Sequence, residues 1–384
     1  MKKILFVIES LHCGGAEKSL VTLLQNFDFT QNQVELLLFK EGGAFEKFVP
    51  EQVKVRYISS LESINSIRLL FLKFKFKALL FNNKSNKYHS AQLFWKSFGS
   101  SIRLMSSEYD IAIAYNQGFS TYFVAEKINS KNKYAWLNTD YKKAGYNAEF
   151  DYPMYSVFNK VVAVSDENLI PIKEEMKIIG KSLPMIVIND ITDVDVVRKL
   201  ALQGEGLPIN ENFITILSVG RLAKAKAFNL AIAACRSLKD KNYNVKWYII
   251  GEGGERAFLE QLIKENELQD ELILLGFKEN PYPYIKSCDI YVQTSIFEGL
   301  GLTVVEASLL HKPIVCTNFP TAYKILSDEK TGLIVQMNSE DISNAVQKLI
   351  DQPELRLKFQ ETLSKQVNPN KQDSLDLIYK LINN

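Results

Sequence analysis

Glu298 and Glu306 belong to the run Ser295-Ile296-Phe297-Glu298-Gly299-Leu300-Gly301-Leu302-Thr303-Val304-Val305-Glu306-Ala307. An apolar segment ends near Gln293, glycines follow, and a helical pattern begins around Gly301. Such a strand-turn-helix leaves the backbone NH groups of Gly299, Leu300, Gly301 and Leu302 unsatisfied beyond the strand end. Glu298 sits in the turn. Glu306 falls about two turns into the helix, where it could accept hydrogen bonds from a vicinal diol. Two surface glutamates could share this spacing, but Glu306 lies among Val304, Val305, Ala307, Leu309 and Leu310. A carboxylate in so apolar a helix usually has a partner.

A second stretch, Ser218-Val219-Gly220-Arg221-Leu222-Ala223-Lys224-Ala225-Lys226, follows directly on an apolar run. Arg221 and Lys226 could both reach an anion there, Arg through its planar fork and Lys as a mobile point charge. Fixed cations of this kind stabilise charge on a departing phosphate without a metal. Two ordinary surface cations at a helix start would look the same. A third stretch, Glu9-Ser10-Leu11-His12-Cys13-Gly14-Gly15-Ala16-Glu17, places Gly14 and Gly15 between an apolar run and a helical pattern. Glycines at such a turn let backbone NH groups approach a phosphate. Any α/β protein has turns like it, and the GxGxxG spacing of dinucleotide folds is absent, which argues against a nicotinamide enzyme.

These segments need a scaffold that puts strand ends next to helix starts. Short apolar runs rich in β-branched residues recur along the chain between amphipathic stretches, the signature of parallel strands covered by helices. In the first half the strands are expected at 4–8, 34–39, 53–58, 111–115, 134–137, 161–164 and 186–188. In the second half they fall at 214–219, 247–250, 272–275, 290–293, 314–317 and 333–335. The reading is two doubly wound parallel-sheet (Rossmann-like) α/β domains, as the length of 384 residues also suggests. The expected division is 1–190, 191–366 and a C-terminal helix in 367–384 that returns to the first domain after the breaker Val367-Asn368-Pro369-Asn370. Residues 189–208, with Gly204, Gly206 and Pro208, read as a linker. Ligands of such sheets bind beyond the carboxyl ends of the strands, so the site is expected in a cleft between the domains.

Composition narrows the classes. Hydrophobic residues at 46% and charged residues at 23% are ordinary globular usage. Cys13, Cys235, Cys288 and Cys316 form no CxxC pair and suit a reducing compartment. The apolar run 4–8 is too short for a signal peptide or a membrane span. His12, His89 and His311 have no ligand spacing, and Asp193-Val194-Asp195 falls where Asp is favoured as a helix cap, so no metal is expected. There is no Walker loop and no Gly-x-Ser-x-Gly elbow.

Net charge is +2 but unevenly spread. Between Glu62 and Glu108 there is no acidic residue, while Arg68, Lys73, Lys75, Lys77, Lys84, Lys87, Lys96 and Arg103 alternate with Phe71, Phe74, Phe76, Phe81, Phe94, Trp95 and Phe98. This basic aromatic segment, 63–107, suits an anionic membrane surface. A solvated helix pair with core aromatics is the plainer reading, and no nucleic-acid motif accompanies it.

Taken together, Glu298-x7-Glu306, Gly220-Arg221-Leu222-x3-Lys226, the Gly251-Glu252-Gly253 turn, the Gly276-Phe277 turn and Gly14-Gly15-Ala16-Glu17 resemble the retaining glycosyltransferases of family four. The likeness covers nearly the whole chain and extends to bacterial capsular and exopolysaccharide enzymes. It implies a GT-B fold and retaining, metal-independent transfer of a hexose from a nucleotide-diphosphate sugar, expected to be UDP-linked. It implies Glu298 against the sugar, Glu306 against the ribose, Arg221 and Lys226 on the diphosphate, and Gly299 to Leu302 along sugar and phosphate. Gly276 and Phe277 would flank the base. Asn138, in Tyr134-Ala135-Trp136-Leu137-Asn138-Thr139-Asp140-Tyr141, stands where the family often has a histidine. It cannot act as a general base, and none is required if the departing phosphate takes the acceptor proton. Ala227 and His311 replace common glycines, and Asn189-Asp190 a common Asn-Pro.

The expected acceptor is a lipid-linked or other glycan of surface polysaccharide, handled by a cytoplasmic enzyme held peripherally on the inner face of the plasma membrane. A homo-oligomer is compatible with the sequence. A non-catalytic partner subunit and a nucleotide-sugar epimerase are the alternatives, separated by product: a longer glycan, nothing, or an isomerised sugar.

Overall fold

Apolar runs that are continuous rather than alternating must be buried on both faces, and parallel sheets sandwiched by helices provide this. The computed structural model describes residues 1–12, 14–59, 61, 64–84, 86–208, 212–366 and 371–383. It divides into two units, Met1–Ile191 with Gln372–Asn384, and Thr192–Lys371. The expected breaker at 367–370 and Cys13 lie outside the described residues.

In the first unit the strands are β1 (Lys2–Val7), β2 (Asn32–Leu38), β3 (Lys54–Tyr57), β4 (Glu108–Ala114), β5 (Asn129–Leu137), β6 (Lys160–Ala163) and β7 (Met185–Val187). They pair in parallel in the order β3-β2-β1-β4-β5-β6-β7. The helices are α1 (Gly15–Gln25), α2 (Ser66–Asn82), α3 (Ser90–Phe98), α4 (Phe119–Lys127), α5 (Ala148–Tyr155) and α6 (Asp166–Ile178). In the second unit come α7 (Val194–Leu200), β8 (Ile214–Val219), α8 (Phe228–Asp240), β9 (Val245–Ile250), α9 (Arg256–Glu265), β10 (Leu272–Gly276) and α10 (Tyr282–Ser287). They are followed by β11 (Ile290–Gln293), α11 (Leu302–Leu309), β12 (Ile314–Thr317), α12 (Ala322–Ile325), β13 (Leu333–Val335), α13 (Ser339–Asp351) and α14 (Pro353–Ser364). The second sheet is also parallel, ordered β10-β9-β8-β11-β12-β13. Every expected strand is present.

The segment read as a linker is largely folded. Asp193 caps α7 by accepting from the Val196 NH, as its position suggested, and pairs with Lys371 at 2.5 Å. Val197, Ala201 and Leu207 are buried in the second unit's core, so apolar contact outweighs the glycines of this stretch. The last helix, α15 (Lys371–Asn383), belongs to the first unit from Gln372 onward and buries Leu375, Ile378 and Ile382 in its core. Tyr134 hydroxyl donates to the Leu381 carbonyl at 2.7 Å, fixing its depth.

One buried polar hub holds the helical face of the first unit. Asp151, fully buried on α5, accepts from Gln92 Nε2 of α3 at 2.8 Å, Tyr122 hydroxyl of α4 at 2.7 Å and Tyr141 hydroxyl at 2.6 Å. Burial pushes its carboxyl up to about 6, with the three donors pulling the other way. An unfolded Asp titrates near ~3.9, so between about pH 4 and pH 6 the folded chain binds the extra proton. Its contribution therefore falls as pH rises through that window and is level above it. Asp151→Asn removes the titration. The unfolding free energy of wild type minus that of the variant should decline by about 2 kcal/mol from pH 4 to pH 6, measured by urea melts. A flat difference would show that the carboxyl titrates as in solvent.

Candidate functional site at the strand-order reversal

In an open parallel sheet, the loops diverge where strand order reverses, leaving a crevice beyond the carboxyl ends. In the second unit that reversal lies between β8 and β11. The loop after β8 carries Arg221 and Lys226, and the loop after β11 carries Glu298. The topology thus brings together two segments distant in sequence.

Their side chains meet. Lys226 Nζ lies 2.6 Å and 2.7 Å from the two Glu298 carboxylate oxygens, and both side chains are largely buried. The loops are joined through the backbone as well: Ile296 NH donates to the Ala225 carbonyl at 2.8 Å, and Thr294 hydroxyl to the Lys226 carbonyl at 2.7 Å. The aliphatic stem of Lys226 lies over Gly220, where an added Cβ would stand 3.2 Å from Lys226 Cε. Arg221 opens the same loop and is exposed. The two cations precede α8 rather than occupying its first turn, because Lys224–Lys226 forms a separate 3-10 turn.

Glu298 has further support that the sequence did not reveal. Ser295 hydroxyl donates to its Oε1 at 2.5 Å and Gln293 Nε2 at 3.0 Å, while Tyr291 hydroxyl donates to Gln293 Oε1 at 2.9 Å. Tyr291, Gln293 and Ser295 are all fully buried. The only hint was polarity: Gln293-Thr294-Ser295 continues an apolar strand, and buried polar side chains are kept where they have partners.

The turn that follows reaches α11 through Gly301, its N-cap, at φ 79°. A Cβ there would meet Ile325 Cδ1 at 2.9 Å, so both conformation and space favour glycine. Gly299, Leu300 and Leu302 are half-buried. Glu306 is 2% exposed, and Tyr282 hydroxyl donates to it at 3.3 Å. The carboxylate in the apolar helix therefore has the partner its surroundings called for, though nothing in the sequence named Tyr282 as that partner.

Neighbouring loops are clamped to the first. Gly220 NH donates to the Ile250 carbonyl at 2.9 Å, Gly251 NH to Gly276 at 3.0 Å and Leu222 NH to Glu252 at 3.0 Å. Gly276 ends β10 and half-buried Phe277 follows it. Ala227 and His311 both adopt the left-handed region, at φ 47° and 54°. His311 lies just past the end of α11, and Lys312 NH closes that end on the Ala307 carbonyl at 3.0 Å.

Gly14, Gly15 and Asn138 belong to the first unit. Gly14 is the N-cap of α1 in extended backbone, with the Glu17 carboxylate folded over it. Asn138 follows β5; its NH donates to Gln117 Oε1 at 2.9 Å and its Nδ2 to the Tyr115 carbonyl at 2.7 Å. The second of these bonds orients the side-chain amide. Burial raises Glu9 at the end of β1 above the usual carboxylate range, with Lys40 opposing.

Two Rossmann-like parallel-sheet domains with this strand-end constellation define a GT-B chain. Residues 203–366 match the model of the family described as glycosyl transferases group 1. A Campylobacter jejuni protein named N-acetylgalactosamine-N,N'-diacetylbacillosaminyl-diphospho-undecaprenol 4-alpha-N-acetylgalactosaminyltransferase is 27% identical, over 89% of this chain and 88% of its own. HepE of Anabaena, solved with UDP and glucose, superposes with a TM-score of 0.72 at 17% identity, covering 100% of both chains. A complex of S. aureus TarM that holds alpha-GlcNAc-glycerol and UDP superposes at 0.71 and 14% identity, again over 100% of both. By family domain and fold, the chain is of the glycosyltransferase class.

Proposed function

We propose that the chain moves a hexosyl group from a UDP-linked sugar to a lipid-linked or other glycan acceptor, with retention and without a metal. The observation that carries this reading is the Lys226–Glu298 pair, sewn between the two loops at the strand-order reversal. Lys226 and Arg221 would neutralise the diphosphate as it departs, and the NH groups of 299–302 would face its oxygens. Glu298, held by Ser295 and Gln293, keeps Lys226 in place until the anion arrives and then faces the sugar. Glu306 would take the ribose diol beside Tyr282, and Gly276-Phe277 the base.

In the reaction the bond from sugar C1 to the phosphate oxygen breaks and a bond from C1 to the acceptor oxygen forms. The acceptor proton leaves on the departing phosphate oxygen, so no side-chain base is needed, and attack on the face being vacated retains configuration. The C. jejuni relative is named for transfer to a diphospho-undecaprenol glycan, which supports a lipid-linked acceptor. A panel of nucleotide sugars incubated with the protein should yield slow donor hydrolysis with a UDP-sugar, and a lengthened glycan once acceptor is added. Folded protein that leaves every donor intact, or that only isomerises it, contradicts the proposal.

A further inference from the structure

The helix α2 is apolar on two opposite sides, and among the described residues only one of them is packed against a neighbouring element. At about 100° per residue, Leu69, Leu72 and Phe76 share one side. They pack on α3 around Phe98, with the Phe76 ring 5.7 Å from Phe94 and 6.1 Å from Phe98. On the far side, Ile67, Leu70, Phe71, Phe74 and Phe81 fall within an arc of about 100°. These five are 85%, 70%, 65%, 71% and 75% exposed. The aromatic residues of this segment therefore divide: Trp95 and Phe98 fill the core, while Phe71, Phe74 and Phe81 stand in solvent.

Charge tells what covers the exposed stripe. By the same projection Arg68 and Lys75 run along one edge and Lys73 and Lys77 along the other, all exposed. The stretch between Glu62 and Glu108 contains no acidic residue to offset them. An apolar stripe between two rows of cations matches a bilayer interface with anionic headgroups, where rings enter the acyl boundary and ammonium groups stay at phosphate level. No helix among the described residues is long and apolar enough to cross a membrane, so the contact is one of surface adsorption.

We propose that α2 lies in the plane of an anionic lipid bilayer, inserting Ile67, Leu70, Phe71, Phe74 and Phe81. This stands apart from the transfer chemistry, and its test needs no donor. The purified full chain should cosediment with vesicles of phosphatidylcholine mixed with phosphatidylglycerol, less with phosphatidylcholine alone, and less in high salt. Lys73→Glu, Lys75→Glu and Lys77→Glu together should lower the partition coefficient by about 100-fold or more. Phe71→Ser with Phe74→Ser should abolish sedimentation while leaving the thermal melt unchanged, since both rings are already in solvent. Equal partition of wild type and either variant overturns the proposal. So does a wild-type dimer that the serine variant converts to monomer without any vesicle binding, because the stripe would then be covered by a second copy of the chain.

Discussion

Lys226→Ala is expected to lower the rate of sugar transfer by about 100- to 1,000-fold, the usual cost of removing one fixed group that stabilises charge on a leaving oxygen. The protein should stay folded. Glu298 loses its cation but keeps the Ser295 hydroxyl and the Gln293 amide, so the stability loss should stay below about 2 kcal/mol. Lys226→Arg is not a conservative rescue. The lysine stem lies so close over Gly220 that an added Cβ would stand 3.2 Å from its Cε, and a longer, planar guanidinium does not reproduce the point position of the ammonium between both Glu298 oxygens. Single-turnover rates with saturating donor check this; a variant within a few-fold of wild type would remove Lys226 from the chemistry.

Gly251→Ala should be the most damaging single methyl in the second unit. Gly251 has φ 150°, and an added Cβ would stand 1.9 Å from the Gly220 carbonyl oxygen, a backbone atom that no side-chain rotation can move. The β8 and β9 loops would have to separate, breaking the Gly220-to-Ile250 bond and shifting the loop that carries Lys226. The expected loss is about 3 kcal/mol or more from strain and overpacking together, with donor binding weakened in whatever remains folded. Gly254→Ala is the control, because nothing lies within 4 Å of its added Cβ and its φ is not in the positive range. Melts of the two variants decide the matter: equal midpoints would mean that the loops have slack.

The strands were legible because burial on both faces makes a parallel strand predominantly apolar, so Ile214–Val219 or Ile314–Thr317 can be read with its ends despite a buried Thr215, Ser218 or Thr317. The Lys226–Glu298 pair was legible as two separate stretches, and only the strand order shows that they adjoin. Three things were not legible. The Gln293–Ser295 support of Glu298 depends on which polar side chains turn inward, which local composition does not encode. The segment 189–208 carries the glycines of a linker, yet Val197 and Ala201 fold it onto the second core. In α2, apolar residues on opposite sides hide the amphipathic pattern, and only packing on α3 tells the covered side from the bare one.

Calorimetric titration of UDP and of uridine into wild type and Lys226→Ala tests the central claim most directly, since the two ligands share base and ribose and differ only in the diphosphate. Wild type should bind UDP far more tightly than uridine, and the ratio of the two affinities should fall by about tenfold or more in the variant, the worth of one charge-assisted contact. An unchanged ratio would mean that Lys226 does not meet the diphosphate, and the site would have to be sought elsewhere.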